Sequence, residues 1–143
     1  MKLELVTLTG LKFSEDVYEV ILPTSTGTIS VFPDHMPLVS LATPGVISVR
    51  RSRAIADADM EHFATNGGVI EIGNEYVRVL VDEADHADDI VESEAQSALE
   101  RAQKLRDEAK DKVSLEHAQA LVDRHAVRLK VAELRRRHRG RGL

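Results

Sequence analysis

Apolar and polar residues alternate with a period of two through the first half of the chain. Leu3 and Leu5 fall on one side with Lys2 and Glu4 on the other, and Ile47 and Val49 alternate in the same way with Ser48 and Arg50. That spacing predicts strands with one buried face, the pattern of antiparallel sheets. Turn-forming residues interrupt it at short intervals: Thr26-Gly27, Asn66-Gly67-Gly68 and Gly73-Asn74 each sit between apolar runs. They tolerate the positive φ of a tight hairpin. Connections this brief leave no room for crossover helices, so the predicted architecture is a sandwich or flattened barrel. Pro33 and Pro37 exclude a central strand over residues 32–37, which are expected to form an ordered loop. Strands resume near Leu38, break at Pro44-Gly45 and resume at Val46.

After Val81 the period changes. An acidic, apolar-poor stretch, residues 82–89, is followed by a segment without Pro or Gly as far as Gly140. Ala95, Ala98, Leu99, Ala102, Leu105 and Ala109 recur at spacings of three and four, and so do Leu115, Ala118, Leu121, Val122, Leu129 and Ala132. Two narrow stripes joined by a short connection predict an antiparallel pair of helices, each about 20 residues or roughly 30 Å long. Ser114 is the expected N-cap of the second, with Glu116 in its first turn. Alanine buries little area, so this hairpin should be marginally stable and easily detached. The chain is therefore expected to be α+β: an N-terminal antiparallel β-sandwich over residues 1–86, then a C-terminal helical hairpin with a basic tail over residues 87–143.

Composition narrows the function. With 43% hydrophobic and 30% charged residues, a packed core is expected of the 143 residues. Aromatics amount to 3% with no Trp, which supplies no stacking platform for single-stranded nucleic acid. Cysteine is absent, which suits a reducing compartment. The N-terminus lacks the apolar run of a signal peptide, and no stretch reaches the length of a membrane span. The net charge of -5 conceals an asymmetry: from Arg124 onward there are eight Lys or Arg and a single acid, Glu133. A basic end on an acidic body calls for an acidic partner.

Catalytic motifs are missing. No Gly-x-Ser-x-Gly elbow and no phosphate-binding Gly-rich loop with Lys-Ser or Lys-Thr occurs, so no catalytic residue, metal or cofactor is assigned. His35 beside Asp34 reads as a loop histidine held by the backbone and the flanking prolines. His117 and His125 are eight apart, too far along one helix to share a metal. Arg124 and Arg128 lie one turn apart on one helix face.

Two motifs carry a resemblance. The run Pro33-Asp34-His35-Met36-Pro37-Leu38-Val39, preceded by the hairpin at Gly27, resembles the signature of the epsilon subunit of the bacterial F-type ATP synthase, with Asp34 for Gly and Met36 for Ala. The run Phe63-Ala64-Thr65-Asn66-Gly67-Gly68-Val69-Ile70-Glu71-Ile72 is similar to the family's second glycine hairpin, and Pro44-Gly45-Val46 fits its middle. The likeness runs in order along essentially the whole chain. It implies a central-stalk rotor part at the cytoplasmic face of the bacterial membrane, peripheral and attached only through the complex. The sandwich would bind the gamma subunit and rest on the polar loops of the c-ring. The hairpin would either fold on the sandwich or extend towards the catalytic subunits and restrain ATP hydrolysis. Partner contacts would then fall on His35 and Pro37 of the loop, and on Arg124, Arg128, Arg135 and Arg136, which would meet an acidic segment of the catalytic beta subunit.

Some family members hold ATP through Ile or Leu, Asp, two variable residues, Arg and Ala at the start of the first helix. Here those positions read Ile90, Val91, Glu94 and Ala95, with the acid and the cation both lost. A carboxylate in place of a cation near phosphates reverses the sign of a Coulomb interaction, so ATP binding is expected to be weak or absent. Two other readings compete: a free-standing nucleotide-sensing binding module, and a nucleic-acid adaptor using the basic tail. The degenerate motif argues against the first. The acidic remainder of the chain argues against the second, so no nucleic-acid partner is expected.

Overall fold

The computed structural model describes residues 1–141 and contains ten strands and two long helices. The strands are β1 (Lys2–Thr7), β2 (Gly10–Asp16), β3 (Glu19–Thr24), β4 (Gly27–Val31), β5 (Leu38–Ala42), β6 (Gly45–Arg50), β7 (Glu61–Thr65), β8 (Gly68–Ile72), β9 (Tyr76–Val81) and β10 (Ala84–His86). They follow the order β10-β7-β6-β3-β5-β8-β9-β1-β2, with β4 on the other side of β3. A single residue pair, Thr24 with Ala42, joins β3 to β5. The sheet therefore folds there into two layers, β10-β7-β6-β3-β4 facing β5-β8-β9-β1-β2. One pairing departs from the antiparallel expectation: β1 runs parallel to β9, since the first strand inserts between β9 and β2.

The period-two pattern produces the core. Leu3 and Leu5 of β1, Val20 and Leu22 of β3, Ile47 and Val49 of β6, Ile70 of β8, and Val77 and Val79 of β9 are all essentially excluded from solvent between the layers. With so few aromatics, one edge-to-face pair, Phe13 of β2 on Phe63 of β7 at 5.6 Å between ring centres, spans the two layers within the core. The turn at Asn66-Gly67-Gly68 has a steric reason. Gly67 has φ 101°, and a Cβ on Gly68 would lie 2.0 Å from the carbonyl oxygen of Leu80 on the neighbouring strand.

The first helix, α1, spans Glu92–Glu108 and the second, α2, spans Lys112–Arg141. At 1.5 Å per residue they are about 25 Å and about 45 Å long, so α2 is far longer than its spacing pattern predicted. The N-cap expectation is corrected as well. Asp111, not Ser114, caps α2: its carboxylate accepts the Ser114 N–H at 2.8 Å and the Ser114 hydroxyl at 2.9 Å. Those bonds, the backbone one first, hold the Asp111 carboxyl below its ordinary pKa. The helix–helix seam uses Ala95, Ala102, Ala118 and Val122, whereas Leu105 and Leu115 remain exposed near the hairpin tip. The apolar stripe thus stops short of the tip.

Because α2 outruns α1, its second half lies against the outer face of the β10-β7-β6 layer. A separate apolar cluster forms there from Ala64, Ala87, Ile90, Ala95, Val131 and Ala132, with Val46, Val127 and Leu129 at its margin. It shares no buried residue with the sandwich core. A 3-10 turn at Ala87–Asp89 carries the chain from β10 into α1.

Candidate interaction surfaces

The basic face of α2 lies on the acidic linker. Arg124 Nε is 2.6 Å from a Glu83 carboxylate oxygen, and Arg128 Nε is 3.2 Å from Asp85. Neither Nε–H is aimed at its carboxylate, so both contacts are ion pairs without an aligned hydrogen bond. Beyond the cluster, Arg135 donates to the Ala87 carbonyl, Arg136 pairs with Glu92 at 2.7 Å, and Arg139 lies 3.8 Å from Asp88. His138 Nδ1 is 3.1 Å from Asp59, on the turn before β7. All four arginines proposed from the sequence as partner contacts, Arg124, Arg128, Arg135 and Arg136, are therefore engaged within the chain. Sequence reasoning missed Glu83, Asp85, the Ala87 carbonyl and Glu92 as their counterparts, and Asp88 as that of Arg139. The signal was present as an acidic run before the hairpin and a basic run at its end, which an antiparallel hairpin brings back together.

Two histidines mark this interface. His62 and Ala64 point outward from β7, on the side that α2 covers, and His62 Nδ1 is 2.8 Å from Ser48 Oγ on β6. Burial, followed by the nearby His138 and His86 rings, lowers the His62 pKa. His86 joins Glu61 at 3.2 Å and stacks edge-on against Phe63. For Glu61, burial works to raise its pKa, but hydrogen bonds from Arg51 and then His86 overcome it and leave the carboxyl below its ordinary value.

Between the helices lies an open pocket lined by Ser93, Glu94, Ser97, Ala98, Arg101, His125 and Arg128. Burial, then Arg124, Arg128 and Arg101, lowers the His125 pKa, and its Nδ1 is buried without a partner. Of the four positions in the degenerate nucleotide motif, only Glu94 faces this pocket. Ile90 and Ala95 are buried in the cluster beneath α2, and Val91, half-exposed, occupies the N-cap position of α1.

The loop at residues 32–37 projects from the sandwich with Met36 and Pro37 exposed. His35 Nδ1–H donates to the Met36 carbonyl at 2.6 Å. Asp34 has φ 67°, the left-handed region that glycine occupies without strain, which gives a physical reason for the Gly in the related motif.

The outer face of the second layer carries a feature the sequence reading did not single out. Leu41 of β5, Val69 of β8, Leu80 of β9 and Val6 of β1 are register neighbours, and Leu11 of β2 opposes Val6 beyond a bulge. Four of these, Leu41, Val69, Leu80 and Leu11, are exposed. They form an apolar row across five strands, about 19 Å long from the usual strand spacing. The adjoining row is an ion-pair ladder in which Arg78 bridges Glu4 at 3.2 Å and Glu71 at 3.4 Å. Leu41, Val69, Leu80 and Val6 each lie out of phase with the buried set of their strand, which is the signal that could have found most of the row; Leu11 is in phase with the buried Phe13 and joins the row only through the bulge. Among the described residues no helix is long and apolar enough to cross a membrane.

Comparison with known proteins places these features in context. Residues 1–87 match the family model described as ATP synthase, Delta/Epsilon chain, beta-sandwich domain. The chain is 33% identical over 132 residues to the ATP synthase epsilon chain of Sulfurihydrogenibium sp. (strain YO3AOP1), covering 92% of this chain and 96% of that one. It is 31% identical over 136 residues to the ATP synthase epsilon chain of Herpetosiphon aurantiacus, covering 95% and 96%. In fold it is similar to a chain of the Euglena gracilis mitochondrial ATP synthase (OSCP/F1/c-ring, rotational state 1), with a TM-score of 0.76 and 19% identity over 91% of this chain and 79% of that one. A chain of the Tetrahymena thermophila mitochondrial ATP synthase central stalk and c-ring gives 0.62 at 12% identity, covering 92% and 96%.

Proposed function

This chain belongs to the ATP synthase epsilon-chain family, and from that premise we propose that it is a non-catalytic rotor subunit of the central stalk, with its hairpin a brake on ATP hydrolysis. The observation that carries this reading is the two-sidedness of the sandwich. One outer face is occupied by α2 through a small, Ala-rich cluster and partly exposed ion pairs, and the opposite face presents the open apolar row of Leu41, Val69, Leu80 and Leu11. A closed, stiff sandwich with one uncovered apolar face suits torque transfer through a broad interface. We assign that face to the gamma subunit and the loop with His35 and Pro37 to the polar loops of the c-ring. The protein would then sit at the cytoplasmic face of the membrane, held there only through the complex.

The hairpin suits a brake because its docking rests on weak parts. Four of the six residues in its buried cluster are alanines, which remove little area from water. Two arrangements of similar free energy are what a switch requires. In the extended arrangement Arg124, Arg128, Arg135 and Arg136 would face an acidic segment of the catalytic beta subunit. Truncation after Asp89 in the assembled complex tests this directly. ATPase activity should rise while ion coupling persists; if both are unchanged, the hairpin is no brake. Leu80→Glu, placed in the centre of the apolar row, should abolish co-purification with gamma while leaving the sandwich folded. Retention of gamma at wild-type levels would refute that assignment.

A further inference from the structure

We propose that the acidic strip Glu83, Asp85, Asp88 and Glu92 is a built-in competitor for the basic face of α2, so that an external acidic surface binds that face only after displacing the strip. The inference rests on the reading that the partner of α2 is acidic, and it specifies how access to that partner is regulated.

Four cations of α2, Arg124, Arg128, Arg136 and Arg139, each lie within 2.6 to 3.8 Å of a carboxylate, and all four carboxylates come from the ten residues 83–92. The strip is held in place independently of its charges. The Glu83 N–H donates to Asn66 Oδ1 at 3.2 Å, β10 pairs with β7, and Ala87 and Ile90 are buried. Glu83, Asp85 and Asp88 are therefore presented to α2 at fixed positions, while Glu92 follows as the first residue of α1. The cations recur at one helix face, 124, 128, 136 and 139, so a second surface with carboxylates at the same intervals would satisfy the same set.

Two features make the contacts exchangeable. Arg124 and Arg128 meet their carboxylates without aligned hydrogen bonds, so no directional geometry is lost when one carboxylate replaces another. The pairs are partly open to solvent, with side-chain exposures of 34% and 42% for Arg124 and Glu83, so each contributes little and salt screens it. Docking then sets the fraction of molecules with a free basic face, and the apparent affinity for an acidic partner is the intrinsic affinity scaled by that fraction. Loss of one such pair changes the docking equilibrium by a factor of about 1.4 to 5, so loss of two changes it roughly 2- to 25-fold.

The experiment uses the full chain, which contains no native cysteine. Spin labels at Lys12→Cys on β2 and Lys110→Cys at the hairpin tip report docking by distance. The probe is a synthetic helical peptide with Glu at the matching intervals. E83Q/D85N should raise the released fraction roughly 2- to 25-fold and tighten peptide binding by the same factor, and raising salt on the unaltered chain should release the hairpin as well. The thermal transition of the sandwich reports that the variant is folded. Should the distance stay unchanged in both E83Q/D85N and high salt, the competitor is overturned. Release without any peptide binding overturns the acidic-partner reading instead, as does equal peptide binding by R124Q/R128Q.

Discussion

Replacing Ile90 by alanine should detach the hairpin without unfolding the sandwich. Ile90 is 1% exposed and sits in the cluster with Ala64, Ala87, Ala95, Val131 and Ala132, the largest side chain in a group that is otherwise mostly alanine. The substitution removes three carbons, worth about 2.4 kcal/mol at ~0.8 per buried methylene, and a residual cavity would add to that within the usual range of about 2–5 kcal/mol. Taking the lower figure, because a docked hairpin relaxes more readily than a closed core, docking falls on the order of 50-fold. The sandwich core has no residue in common with this cluster, so its strands should keep their stability. Native-state hydrogen exchange resolves the two parts. Amides of α1 and α2 should lose protection by roughly that factor while β3, β6 and β9 keep theirs. Ile90→Val should give a smaller loss, about 0.5–1.5 kcal/mol. If sandwich and hairpin lose protection together, the two form one cooperative unit and the reasoning fails; if neither changes, Ile90 does not hold the hairpin.

Further outcomes follow from other sites. Gly68→Ala should prevent the sandwich from folding, because its Cβ would meet the Leu80 carbonyl oxygen at 2.0 Å; a soluble variant with wild-type circular dichroism would contradict this. Docking should weaken as pH falls. The docked state lowers the His62 pKa through burial and the neighbouring His138 and His86, so its contribution is intact above the ordinary histidine pKa of about 6.5 and is lost as pH drops below it. Labelled chain titrated from pH 8 to pH 5.5 should show progressive release, and His62→Asn should flatten the profile. A calorimetric titration should find weak or no ATP binding at millimolar concentration, since Glu94 places a carboxylate in the interhelical pocket beside Arg101 and Arg128; micromolar affinity would overturn that expectation.

The period-two alternation and the glycine turns were enough to predict a sandwich, because each inward residue and each positive-φ position is a local requirement written at its own place in the chain. Leu3, Leu5, Ile47 and Val49 were all legible in this way. The helical pair was legible from its alanine stripes for the same reason, and its short connection implied antiparallel packing. Helix ends were read less well. Ser114 has the chemistry of an N-cap, but Asp111 three residues earlier reaches its N–H, and the competition between them is settled by backbone geometry. Val127 and Val131 were overlooked because α2 buries two faces at once, one against α1 and one against β7, and a single stripe cannot describe both. The apolar row of Leu41, Val69, Leu80 and Val6 exists only through strand register, which joins residues from four separate segments. Charge shows the same division. By itself the sequence determined that the chain has an acidic body and a basic end, since net charge is additive along a chain. Only the tertiary structure decided that the basic end is already occupied, because antiparallel packing returns α2 to the linker and makes an ion pair depend on distances that no count of residues contains.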